Sequence, residues 1–109
     1  MKTVDHIGIV VGDLTEAEKW YVNRLDGVVT HREESYTRIK VANTHIALIL
    51  EEKYKPHVAI LCDKENLPTN GTRVEHRDGT IGVYQEDPWG NSIEFISYDG
   101  SCQGIFLKK

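Results

Sequence analysis

"VDHIGIVV" at positions 4–11 returns as "KPHVAILC" at positions 55–62. Each copy is an apolar run entered by one histidine, His6 in the first and His57 in the second. Alternation in the first copy puts His6, Gly8 and Val10 on one face of a strand and Ile7, Ile9 and Val11 on the other. The next stretch, "DLTEAEKWYVNRLDG" (13–27), changes period: Leu14, Ala17, Tyr21 and Leu25 recur at helical spacing, with Trp20 beside them. Asp13 and Thr15 each offer a cap with a glutamate three residues on, and Gly27 supplies the stop. Strands then resume at 28–33, 36–42 and 45–51, which makes one β-α-β-β-β unit.

The second copy repeats that order from 57–63. "TRVEHRD" (72–78) is read as a strand, and "GTIGVYQEDPWGNSIEFISY" (79–98) as two strands around a turn with Asp87, Pro88, Gly90 and Asn91. Its helix is much shortened, because only "DKENLPTNGT" (63–72) is available and Pro68 interrupts it; one helical turn fits. The expected fold is therefore α+β: paired βαβββ modules, module one about 1–53 and module two about 54–98, with a C-terminal tail 99–109, in one domain spanning 1–109. The outer face of the second module (Val58, Ile60, Cys62, Ile93, Phe95) lacks a helix to cover it. Burial of such side chains is worth roughly 1.5–3 kcal/mol each, so "GIFLKK" (104–109) or a partner subunit is expected to cover them.

Composition narrows the partners. At 109 residues, with 28% charged and 39% hydrophobic residues, the chain has the makeup of one soluble domain. A formal charge of −4 argues against nucleic acid and against an anionic membrane surface. The longest apolar runs, Ile46–Leu50 and Val58–Cys62, fall far short of the ~20 residues of a membrane span. Asp5 interrupts the N-terminus before a signal-peptide core accumulates, and Cys62 and Cys102 make no disulfide framework. A cytoplasmic location is expected.

Parity also places the polar groups. His57, Ala59 and Leu61 share the inward face of the second copy, and in "NSIEFISY" (91–98) Ser92 and Glu94 point inward while Ile93 and Phe95 point outward. A mid-strand carboxylate between Ile and Phe carries a desolvation cost of several kcal/mol. Two readings meet that cost. His6, His57 and Glu94 hold one divalent cation as a two-histidine, one-carboxylate set with open positions for substrate; or Glu94 pairs with Arg38, Arg73 or Arg77 and the histidines are hydrogen-bonded core residues. Tyr84 is a candidate catalytic donor to an oxyanion if it faces inward, and a packing aromatic otherwise. Arg38 and Arg73 read as exposed strand charges or as anion binders. His31, His45 and His76 are expected at exposed or rim positions, and Trp89 in a turn.

"DHIGIVVGDLTEAEKWYVNRL", "HVAILCD" and "VYQEDPWGNSIEFI" together resemble the vicinal oxygen chelate superfamily, which includes glyoxalase I, fosfomycin-resistance proteins, methylmalonyl-CoA epimerase, extradiol dioxygenases and bleomycin-resistance proteins. The resemblance spans about 4–98 and implies a curved, cup-like mixed sheet. It matches His6, His57 and Glu94 to the family's metal ligands and implies a divalent metal ion (Zn, Ni, Mn or Fe). It further implies a small-molecule substrate and a homodimer whose cups combine modules of both subunits. The chain departs from the glyoxalase pattern on the last strand of module one, "HIALILEE" (45–52), where the fourth-ligand position falls on Ala47 or Ile49 and Glu51 is a poorer substitute. Fosfomycin-type members carry a threonine where this chain has Gly8. The implied function is a small metal-dependent enzyme that binds substrate through adjacent oxygens and stabilises an anionic intermediate, as a lyase/isomerase or thiol transferase. The alternative is a metal-free small-molecule sequestering protein of the bleomycin-resistance type.

Overall fold

The computed structural model describes residues 3–50, 54–76 and 78–98. Along the chain come β1 (Thr3–Val11), α1 (Leu14–Leu25), β2 (Val28–Arg32), β3 (Tyr36–Val41) and β4 (Thr44–Leu50). Then follow β5 (His57–Leu61), a 3-10 turn (Lys64–Asn66), β6 (Thr72–Glu75), β7 (Ile81–Glu86) and β8 (Ser92–Ser97). The chain is mixed α+β with the βαβββ order written twice, and the second helix is reduced to the 3-10 turn. β6 is shorter than expected: it ends at Glu75 because His76 opens a turn. The chain divides into two compact units, residues 6–58 and residues 1–5 with 59–109.

In the first unit the strand order is β2-β3-β4-β1. β1 runs parallel to β4 from Ile7↔Ile46 to Val11↔Leu50, and β3 is antiparallel to both β4 and β2. Helix α1 starts as expected, with the Asp13 carboxylate accepting the Glu16 backbone N–H at 2.9 Å. Its stop differs from expectation. Asp26, not Gly27, takes the left-handed conformation (φ 54°), a role that a short polar side chain tolerates. Gly27 is buried, and a Cβ there would lie 2.5 Å from Ile39 Cγ2, so its lack of a side chain serves close packing on β3. Ile39, Ile46 and Leu48 form the buried core, with Ile9 and Val11 of β1 and Leu14, Ala17, Tyr21 and Val22 of α1 packed on it. Ile7 and Leu25, expected in this layer, are 37% and 43% exposed. Leu25 is the last helical residue beside the left-handed turn, and Val22 packs in the core instead. Arg32 donates two hydrogen bonds to Glu18, at 2.9 and 2.8 Å, which tie α1 to β2 and hold the Glu18 carboxyl below its ordinary value.

In the second unit the order is β5-β8-β7-β6. β7 is antiparallel to β8 and to β6. The β7–β8 turn is closed by the Asp87 carboxylate, which accepts from the Asn91 side chain (2.9 Å), the Asn91 backbone (2.8 Å) and the Trp89 backbone (2.9 Å). Those bonds, the Asn91 side chain foremost, keep the Asp87 carboxyl below its usual range. Ala59, Ile96 and Tyr98 make a buried cluster with Leu61 against it. The Tyr98 hydroxyl donates to Asp5 at 2.8 Å. On the opposite face Ile81 and Val83 are buried while Ile60, Cys62, Ile93 and Phe95 are half-buried. The segment expected to cover that face, 104–109, lies outside the described residues, as do Glu51, Arg77 and Cys102. Among the described residues no helix is long and apolar enough to cross a membrane.

Candidate metal centre

In the first unit the two repeated histidines meet. His6 and His57 are each 7% exposed, and their Nε2 atoms stand 3.3 Å apart with the rings edge to face at 80°. The other nitrogen of His57, Nδ1, lies 2.7 Å from the Lys55 carbonyl oxygen. A carbonyl only accepts, so Nδ1 carries the proton, which in the neutral tautomer leaves the lone pair on Nε2. That is the orientation in which a metal-binding imidazole is commonly fixed by a neighbouring carbonyl. The two rings are hydrogen-bonded to each other at this distance, as the metal-free reading expects, and the same spacing fits a cation: two nitrogen ligands at ~2.0–2.1 Å in a tetrahedral set stand ~3.3 Å apart.

Gly8 makes the encounter possible. A Cβ on Gly8 would lie 2.5 Å from His57 Cε1 and 2.8 Å from its Nδ1, so the imidazole rests directly on bare backbone. The register extends that floor, since Gly8 pairs with Ala47 and Ala47 with Arg38. Arg38 therefore shares the histidine face. It is 5% exposed, not the exposed strand charge the sequence suggested, and its Nε donates to His45 Nδ1 at 3.2 Å. His45 and His31 are half-buried too, and His31 lies 2.9 Å from Glu33.

In the second unit Glu94 stands mid-strand on β8, 1% exposed, directly opposite Tyr84. Its Oε2 lies 2.8 Å from His76 Nε2. Of the arginines proposed as its partners, Arg73 pairs with Val83, which pairs with Phe95, so it belongs to the opposite face. His76, expected at an exposed or rim position, is packed on Glu94 with 16% of its side chain exposed. Here again a glycine leaves the room: a Cβ on Gly82 would run into Glu94 Oε2 and lie 2.9 Å from His76 Nε2. Tyr84 shares the Glu94 face and meets the His76 ring edge-on, with centroids 6.4 Å apart. His76 is the residue that sequence reasoning misplaced, and of the two readings of Arg38 the exposed one fails. For His76 a signal existed: Thr72, Val74 and His76 alternate onto the Glu94 face, and a strand glycine, Gly82, marks a close approach.

Residues 3–61 match the Glyoxalase/Bleomycin resistance protein/Dioxygenase superfamily. The chain belongs to this superfamily. No curated protein matches it by sequence. Among solved structures it is similar to a hypothetical protein of Bacillus halodurans C-125 (TM-score 0.69, 19% identity, covering 88% of this chain and 94% of that one). It is similar to a variant of Streptomyces coelicolor methylmalonyl-CoA epimerase (TM-score 0.67, 16% identity, 86% and 95%). A superfamily member from Vibrio splendidus 12B01 gives TM-score 0.65, 9% identity, 89% and 98%. These likenesses establish the fold. At the β4 positions considered for a fourth ligand stand Ala47 and Ile49, both buried and non-coordinating.

Proposed function

We propose that the chain is a small metal-dependent enzyme in which His6, His57 and Glu94, each buried and each offering one donor atom, hold a single divalent cation. The observation that carries this reading is the pair of facing Nε2 atoms at 3.3 Å, with His57 oriented by the Lys55 carbonyl. When bound, such a cation acts as a Lewis acid toward two neighbouring substrate oxygens and stabilises the anion that develops during reaction. The chain's own groups do the rest. His57 holds its proton on Nδ1 and leaves Nε2 for ligation. Tyr84, on the Glu94 face, is the hydroxyl donor for an oxyanion. Arg38 carries positive charge on the histidine face and orients an anionic substrate. Proton-transfer chemistry of the lyase/isomerase kind ranks first, supported by similarity to methylmalonyl-CoA epimerases, and thiol transfer second.

Metal-free protein titrated calorimetrically with Zn²⁺, Ni²⁺, Mn²⁺ or Fe²⁺ is expected to take about one ion per chain, and His57→Ala to lose that binding. A screen of α-ketoaldehydes, fosfomycin with thiols, catechols and methylmalonyl-CoA is expected to find turnover that chelation abolishes and metal restores. Full ligand affinity after chelation, without turnover, would instead identify a sequestering protein. Mixing His6→Ala with Glu94→Gln chains restores metal binding if one centre draws its ligands from two copies, as the homodimer expectation requires.

A further inference from the structure

We infer that His76 is a positioning residue for the Glu94 carboxylate, fixing its orientation for ligation through a hydrogen bond to Oε2. This rests on the assignment of Glu94 as a ligand and adds a residue outside the three-ligand set.

The burial of Glu94 sets the problem. A carboxylate 1% exposed between Ile93 and Phe95 has few orientations that satisfy its oxygens. His76 Nε2–H donates to Oε2 at 2.8 Å, a length typical of a charge-assisted bond. Acting as donor there, Nε2 is not itself available to a cation, so the imidazole orients the ligand without replacing it. The turn that follows β6 and the neighbours on β7 hold the imidazole in place. The His76 backbone N–H donates to the Thr80 carbonyl at 2.8 Å, and the His76 carbonyl accepts from Gly79 at 3.0 Å, closing a tight turn. Gly79 enters that turn at φ 90°. Thr80 is anchored in its turn, its backbone N–H and hydroxyl both donating to Asp78 at 2.9 and 2.7 Å. The Tyr84 ring flanks the imidazole, and bare Gly82 leaves the space in which the carboxylate and the ring meet. Ligating carboxylates are commonly hydrogen-bonded in this way, and loss of such a partner costs about 10–100-fold in metal affinity.

The test is calorimetric titration of metal-free protein with Zn²⁺ for wild type, His76→Ala, His76→Gln and Glu94→Gln, each checked for its fold by thermal melting. Binding is expected to weaken about 10–100-fold in His76→Ala with the stoichiometry kept. His76→Gln, whose amide N–H reaches the same place, is expected to recover most of the loss, and Glu94→Gln to abolish binding. Wild-type affinity in Glu94→Gln would overturn the ligand assignment. Loss in Glu94→Gln with wild-type affinity in His76→Ala would overturn the role of His76 alone, as would equal weakening in His76→Ala and His76→Gln. Should His76→Ala fail to fold, long-range ¹H–¹⁵N spectra of metal-free wild type decide: a proton on His76 Nε2 supports the inference, and an unprotonated Nε2 overturns it.

Discussion

The two units solve one design problem differently. In the first, β1 separates its tasks by face: His6 and Gly8 look one way, while Ile9 and Val11 pack under α1 with Ile39, Ile46 and Leu48. In the second there is no α-helix among the described residues, and the buried cluster of Ala59, Ile96 and Tyr98 lies on the same strand face as Glu94, two and four residues along β8 and its continuation. His57 and Glu94 alike stand on strand faces that also carry this cluster, through Ala59 on β5 and Ile96 on β8, and in each unit a bare glycine, Gly8 or Gly82, leaves the room for the polar group. Strand parity, not the helix, is what the duplication preserves, and it is parity that places His6, His57 and Glu94 on their faces.

The largest expected effect breaks this contrast at the cores. Leu48→Ala, fully buried under α1, is expected to cost about 2–5 kcal/mol in chemical unfolding. Phe95→Ala, on the half-buried outer face of the second unit, is expected to cost clearly less, about 1–2 kcal/mol; equal losses would mean the second face is covered as fully as the first. A smaller effect sharpens the comparison at the two glycines. Gly8→Ala pushes on the His57 ring and Gly82→Ala on the Glu94 carboxylate, so each is expected to cost about 1–3 kcal/mol of stability. Each should also weaken Zn²⁺ binding at least ~10-fold, since displaced ligands lose their fixed geometry. The smallest lies in the β3–β4 turn, where Ala42 sits at φ 53° between the paired Val41 and Thr44. Ala42→Gly relieves that strain and is expected to raise stability by about 0.5–1 kcal/mol, read as a shifted urea midpoint.

Much of this is legible in the sequence. The period-2 pattern around His6 and His57 carried the strands and their inward histidines, and the change of period after Gly12 carried α1. Pro68 within so short a connection carried the missing helix. What escaped depends on local geometry that pattern does not encode. Gly27 reads as the helix stop, yet Asp26 takes the left-handed turn and Gly27 is bare because Ile39 packs against it, a contact that no periodicity records. Arg38 reads as a surface charge because its burial is set by neighbours on β4, His45 and Ala47, that pairing alone brings beside it. His76 follows the last residue of β6, and the turn to Thr80, invisible as a periodicity, is what carries it to Glu94.

The central claim is that two imidazoles and one carboxylate from the repeated strands bind one cation. An anomalous-difference map from crystals of the Zn²⁺-loaded protein tests it most directly. The account predicts one strong peak per chain, bonded at ~2.0–2.2 Å to the Nε2 atoms of a His6 and a His57 and to a Glu94 oxygen. A peak held by other side chains, or no peak in well-ordered crystals at saturating Zn²⁺, would contradict it.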